Sequence, residues 1–282
     1  MKFTIYQESR PGRRPSNEDR IAYSYSRDSL LMVVADGMGG HLHGEVAAQI
    51  AVQYIIEAFQ REAHPLLKDP FLFLSGALGN AHHAILDYAA DRFLPEAPRT
   101  TCVACIVQDS IAYWAHAGDS RLYAIRGGRI LAQTRDHSRV QRMIEDGLIT
   151  AEAAIHHPAR NRIFSCLGGA SAPQIDYSKK TPLMTGDIIV LCTDGVVDPL
   201  ADDALADLVG RPGDVEILAE RLVEIAARRG STDDITAIVA AWEPADRRGF
   251  TGPTEDFPSP RELWPGEAVA LLCSNRAEFC EV

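Results

Sequence analysis

The chain has 282 residues, 46% of them hydrophobic and 24% charged, enough to bury a sizeable core in water without disulfide or metal staples. A formal net charge of -11 speaks against a general nucleic-acid binder, whose phosphate partner calls for an excess of Lys and Arg, and suits a cation instead. The opening "MKFTIYQESRPG" lacks the long apolar core of a signal peptide, and no uninterrupted apolar stretch approaches a membrane span. The expectation is a cytoplasmic protein.

Residues 3–7 and 20–25 read as short strands separated by the polar "ESRPGRRPSNED". Residues 30–35 read as a buried strand that ends abruptly on Asp36, in "LLMVVADGMGGHLHGE". A lone buried carboxylate is costly, so Asp36 calls for a cation, a donor or water. Apolar residues from Glu45 to Arg61 recur at helical spacing, and a second helix is expected from about Phe71 to Asp91, with "HPLLKDP" between the two.

The texture then changes. "TTCVACIVQDSIAYWAHAGDSRLYAIRGGRILAQT" reads as four strands broken by "QDS", "AGDS" and "RGG", all hairpin-turn chemistry. With no helix between them, these strands are expected to be antiparallel neighbours, with Asp119 at a hairpin tip. Residues 136–169 are polar with a helical pattern and end at "CLGG". "DIIVLCTDG" reads as another apolar strand, residues 214–229 as an amphipathic helix, and "TAIVAAW" as the last strand. From Glu243 five prolines break up regular structure, so residues 243–262 read as a linker, followed by a tail whose "LWPGEAVALLCSNRAEF" has the makings of a short docking helix. Helices early and late around an antiparallel run point to an α+β domain with helices covering sheet faces.

There are six cysteines. "TCVAC" has half the spacing of a zinc site, but no second C-x-x-C answers it, and strand residues three apart point to opposite faces. The expectation is packed thiols in a reducing compartment.

The acids share one placement. Glu18 and Asp19 precede an early strand, Asp36 and Asp194 end apolar strands in Asp-Gly, Asp119 sits at a turn, and Asp233 and Asp234 precede the last strand. Singly, each is ordinary turn chemistry, since Asp caps its own backbone and Gly accepts positive φ. Together, strands that each end in a carboxylate would gather acids at one rim, where they repel unless neutralised. Hard divalent cations, magnesium or manganese, are the natural partners of clustered oxygens, and no His-rich set accompanies them to favour zinc or copper. The spacing in "ADGMGG" is neither of the nucleotide-phosphate loop patterns. Arg14 lies four residues before Glu18. It is either part of a solvated basic loop or a planar fork for two phosphate oxygens at the same rim.

"RPSNED", "VVADGMGGH", "AHAGDSRLY", "LCTDGVVD" and "GSTDDIT" together resemble, in order, the motifs of the metal-dependent protein phosphatases of type 2C in their bacterial form, over about residues 4–242. "DHSRVQRMIEDGLITAEAAIHHPARNRIFSCLGG" is similar to the flap of bacterial members. The resemblance implies a four-layer α-β-β-α sandwich with two central antiparallel sheets. It divides the chain into a catalytic domain over 1–242, with a flap over 136–169, and a tail over 243–282. It implies two Mn2+ or Mg2+ ions in a cleft: Asp36 would bridge both, the Gly37 carbonyl would bind one, and Asp194 and Asp233 the other. Glu18 and Asp19 would act directly or through water, Arg14 would hold the phosphate, and Asp119 with Asp194 would hold a third, weaker ion. Asp36 and Asp194 are thus the expected catalytic residues. The implied reaction is hydrolysis of phosphoserine or phosphothreonine on proteins by a metal-activated water, reversing a cognate Ser/Thr kinase. A catalytically silent phosphoprotein-binding module and a phosphatase of small phosphoesters are the alternatives. One departure stands out: where relatives from higher organisms often carry a histidine after Asp-Gly, this chain has Met38, with His41 and His43 close behind.

Overall fold

The computed structural model describes residues 2–14, 16–38, 43–211 and 213–243. The tail over 244–282, with Cys273 and Cys280, and His41 lie outside the described residues. In chain order the elements are β1 (Lys2–Arg10), β2 (Arg20–Tyr25), β3 (Ser29–Ala35), α1 (Gly44–Glu62), α2 (Pro70–Asp91), β4 (Cys102–Gln108), β5 (Ile111–Ala117), β6 (Arg121–Arg126) and β7 (Arg129–Gln133). There follow α3 (Arg139–Glu145), α4 (Ala151–Ile155), β8 (Asp176–Tyr177), β9 (Thr181–Pro182), β10 (Ile188–Cys192), α5 (Asp194–Val197), α6 (Asp202–Val209), α7 (Val215–Arg228) and β11 (Ile235–Glu243).

Two sheets form, one ordered β1-β11-β10-β6-β7 and the other β2-β3-β4-β5-β8, with β9 also on β5. Every named pairing is antiparallel. Alternation along β3 explains its solid apolar run. Leu31, Val33 and Ala35 pack outward with α1 and α2, while Leu30, Met32 and Val34 pack inward between the sheets. Cys102 and Cys105 divide between these two cores as their spacing requires. A third core lies between the first sheet and α5 to α7, where Leu218, Leu222 and Ala226 of α7 meet Tyr123, Val190 and Val239. Helices, sheet, sheet and helices thus stack in four layers, as expected.

Two of the expected hairpins form. Asp109 and Ser110 (φ 54 and 56) turn β4 into β5, and Gly127 and Gly128 (φ 53 and 76) turn β6 into β7. The third does not. β5 pairs with β4, β8 and β9, whereas β6 pairs with β10 and β7, so "AGDS" carries the chain from one sheet to the other. Asp119 therefore sits on a crossover rather than a hairpin tip. Gly118 has φ 117, and a Cβ there would lie 2.6 Å from the Cβ of Thr101, so the crossover closes tightly over β4. Turn residues report a reversal of direction; burial on both faces decides which sheet a strand joins.

Over 136–169 the helical pattern yields only α3 and α4, seven and five residues long, capped by Ser138 on the Gln141 amide and Thr150 on the Ala153 amide. α3 buries none of its residues, so nothing propagates it further. α6 was not anticipated. Its signal was present, with Asp202 and Asp203 in the first turn and Leu205, Ala206 and Val209 on one buried face.

Candidate metal centre

The acids come together at one end of the sandwich because each follows or precedes a strand at that end. Asp36 leaves β3, and its backbone is held on both sides: its amide donates to Thr101 Oγ1 at 3.1 Å, and its carbonyl accepts from Thr100 Oγ1 at 2.8 Å and the Thr101 amide at 2.9 Å. Gly37 follows in a space that admits no side chain, since a Cβ would lie 2.5 Å from the Gly44 carbonyl carbon and 2.7 Å from the Glu18 carbonyl oxygen. Asp194 opens α5 directly after β10, beside a Gly195 whose Cβ would meet the Asp234 carbonyl oxygen at 2.0 Å.

The loop before β2 is stitched to the loop before β11. Asp234 Oδ2 accepts from the Glu18 amide at 2.8 Å and Oδ1 from the Gly12 amide at 3.4 Å. Asp234 is therefore spent on backbone donors, whereas Asp233 reaches the rim, where Arg14 Nη2 donates to its Oδ2 at 2.6 Å. Asp19 is buried, with Thr193 Oγ1 donating to its Oδ2 at 2.9 Å.

Electrostatics tie the group together. Burial, then Asp19, Asp194, Asp119 and Asp233, hold the Asp36 carboxyl well above the usual range. Burial, then Asp119 and Asp233, do the same to Asp194. Burial pushes Asp19 up to about 7 against the donors Thr236 and Thr193. Burial and Asp136 push Asp119 up to about 7. Glu18 is raised by burial, with Arg14 opposing. Arg14 is raised despite its burial, because Asp233, Asp36, Asp234 and Glu18 surround it. Glu18 Oε2, Asp19 Oδ1 and Asp194 Oδ1 are buried without a hydrogen-bond partner.

Unpaired buried oxygens of this kind fit a hard divalent cation, and the donor set is all oxygen. Among the described residues, no three His, Cys, Asp or Glu side chains stand close enough to enclose one ion, so the acids form an open rim rather than a closed cage. An open rim suits a cation that keeps part of its water shell.

All the expected residues reach this end: Arg14, Glu18, Asp19, Asp36, Gly37, Asp119, Asp194 and Asp233. Met38 takes the position after Gly37, its amide donating to the Arg99 carbonyl at 3.0 Å. His43 lies with Nδ1 3.7 Å from Glu45. Several contributors were not singled out beforehand. Asp198 stands one helical turn after Asp194 and is raised by burial; Arg160, from the 136–169 segment, pairs with it at 3.3 Å. Asp136, which faces Asp119 electrostatically, is gripped by both arms of Arg121 at 2.8 Å. Thr101 and Thr193 had a local signal, each lying beside a strand end at the rim, but their partners are distant in sequence. Cys102, Cys105 and Cys192 are sealed inside the strands. Burial pushes Cys102 up to about 12 and raises Cys105 and Cys192 further.

Comparison with known proteins places this geometry among relatives. A family model described as Protein phosphatase 2C matches residues 8–230. The chain is 33% identical over 227 residues to the serine/threonine protein phosphatase PstP of Mycobacterium tuberculosis, covering 80% of this chain and 42% of that protein. The chain thus spans less than half the length of that relative. Among solved structures, the serine/threonine phosphatase Stp1 from Staphylococcus aureus superposes with a TM-score of 0.79 at 29% identity, covering 86% of this chain and 96% of the other. The catalytic domain of PstP in complex with 2 manganese ions superposes with a TM-score of 0.73 at 30% identity, covering 85% and 98%.

Proposed function

Because the chain belongs to the protein phosphatase 2C family, we propose that it hydrolyses phosphoserine and phosphothreonine on proteins with the help of Mn2+ or Mg2+. The observation that supports this most is the rim itself: acids from separate strand ends, three of them with buried, unpartnered oxygens, beside one arginine fork. In this reading Asp36, Asp194, Asp233, Glu18, Asp19 and the Gly37 carbonyl would hold two ions, and Asp119 with Asp194 would hold a third, weaker one. When bound, such ions supply Lewis acidity, lowering the pKa of water and neutralising charge on the phosphoryl oxygens.

The remaining work belongs to the chain. Asp233 keeps the Arg14 guanidinium at the rim, so its fork meets the substrate phosphate already oriented. Thr100 and Thr101 keep the Asp36 backbone from shifting as charge accumulates in front of it. A water oxygen bonds to phosphorus as the seryl or threonyl oxygen departs and takes up a proton. Met38 has no proton to give, so the donor is not the side chain after Gly37. The buried, protonated thiols offer no nucleophile, and no phosphocysteine forms.

The segment 136–169 acts as a flap that shapes which phosphoprotein enters. The domain organisation proposed is a catalytic unit over 1–242 and a tail over 243–282. Its partners are phosphorylated proteins, a cognate Ser/Thr kinase and its targets, in the cytoplasm. Among the described residues no helix is long and apolar enough to cross a membrane.

Phosphate release from a phosphothreonine peptide, measured with Mn2+ and with chelator, tests the reading. Turnover is expected only with the metal, and Asp36→Asn is expected to lose nearly all of it while remaining folded. Undiminished release in chelator would overturn the metal role. Release from sugar phosphates alone would overturn the phosphoprotein assignment.

A further inference from the structure

Asp19 is held by hydrogen bonds from separate segments. Its amide donates to Asn17 Oδ1 at 2.9 Å. That contact fixes the Asn17 amide, because an N–H can face only the oxygen. The other end, Nδ2, donates to Ser9 Oγ at 2.8 Å. Ser9 on β1 stands 2.7 Å from Thr236 Oγ1 on β11. Thr193, at the end of β10, donates to Asp19 Oδ2 at 2.9 Å from the other side. Its alternative acceptor, the Asp234 carbonyl, is more distant at 3.5 Å. Thr193 and Thr236 are both fully buried, so water does not compete for either hydroxyl. Asp19 Oδ1 is left buried and without a partner.

We propose that Thr193 is a positioning residue for metal loading: its buried hydroxyl holds Asp19 Oδ2 and so fixes the carboxylate, leaving Oδ1 free for a cation. The inference rests on the reading of the rim as the metal site. A carboxylate held this way does not swing between neighbouring acids, and it gives up no rotational freedom when an ion arrives. The Thr193 hydroxyl touches neither substrate nor ion; it acts through Asp19.

The test is Mn2+ binding to the full chain by isothermal titration calorimetry at pH 7.5, for wild type, Thr193→Val, Thr193→Ser and Asp36→Asn, with turnover at saturating Mn2+ measured alongside. Valine keeps the shape and removes the donor. Thr193→Val is expected to weaken Mn2+ binding by about tenfold or more, with kcat at saturating metal changed much less, and serine is expected to restore the affinity. A purely structural role would lower thermal stability and leave the affinity of the folded fraction unchanged. Wild-type affinity in Thr193→Val, with affinity lost in Asp36→Asn, overturns the inference and leaves the rim intact. Wild-type affinity in Asp36→Asn overturns the rim as the metal site, and the inference with it. Should Thr193→Val not fold, Thr193→Ala removes the same donor, and unchanged Mn2+ affinity there overturns the inference equally.

Discussion

Replacing Asp119 by Asn should make the metal-free protein more stable, although it removes a residue of the proposed site. The carboxyl stands at about 7 in the folded chain against an ordinary 3.8, first through burial and then through Asp136. A raised carboxyl contributes stability that is fully present below 3.8 and is lost as pH rises to about 7, because the folded state holds a proton that the unfolded chain has released. At about 1.36 kcal/mol per pH unit, that interval sets a ceiling of about 4 kcal/mol at pH 8. Asp119 is only part-buried, and solvent screening brings the figure nearer about 2 kcal/mol. Asparagine has no proton to lose and keeps the shape. The assay is thermal unfolding in chelator. For a domain of this size, about 2 kcal/mol corresponds to a Tm gain of roughly 4–8 °C at pH 8, with a smaller gain at pH 5. Excess Mn2+ should reverse the order, since only the wild-type carboxylate gains from it. A mutant no more stable than wild type at pH 8 in chelator, or a gain equal at pH 5 and pH 8, would refute the reasoning.

Three further outcomes are expected. Mn2+ should raise the Tm of the wild type by a margin that shrinks from pH 7.5 to pH 5.5, because Asp19 and Asp119, both at about 7, take up protons across that interval and protons compete with the ion; scanning fluorimetry with titrated Mn2+ checks it. Arg14→Ala should raise KM for a phosphothreonine peptide about tenfold with a smaller change in kcat, since the fork held at 2.6 Å by Asp233 contributes chiefly to binding; steady-state kinetics showing a loss confined to kcat would return Arg14 to a solvated loop. Iodoacetamide applied to the native protein should leave Cys102, Cys105 and Cys192 unlabelled and activity intact, as peptide mass mapping would show, because burial keeps these thiols protonated.

Much of the rim was legible in the chain because its acids lie where backbone geometry demands special residues. Strands end in Asp-Gly at Asp36 and Asp194, and the last strand is preceded by Asp233 and Asp234. A carboxylate at a strand end is a local event, and repetition of that event along the chain made convergence the economical explanation. The two-faced burial of β3 and β4 was legible for the same reason: an unbroken apolar run contains its own statement that neither face meets water.

What local spacing left open, tertiary structure decided. "AGDS" carries every mark of a hairpin, yet β5 and β6 lie in different sheets, because the pairing of a strand depends on what covers both its faces and edges. The distinction between Asp233 and Asp234 is equally non-local. One is claimed by the amides of Gly12 and Glu18, more than two hundred residues away, and the other by Arg14. The Thr193 hydroxyl reaches the Asp19 carboxyl across 174 positions, and no neighbouring residue hints at it. Composition and periodicity set which segments are strands and where carboxylates end them. Only the closed sandwich, by excluding water from hydroxyls on different segments, chooses which oxygens those carboxylates keep for themselves and which remain free.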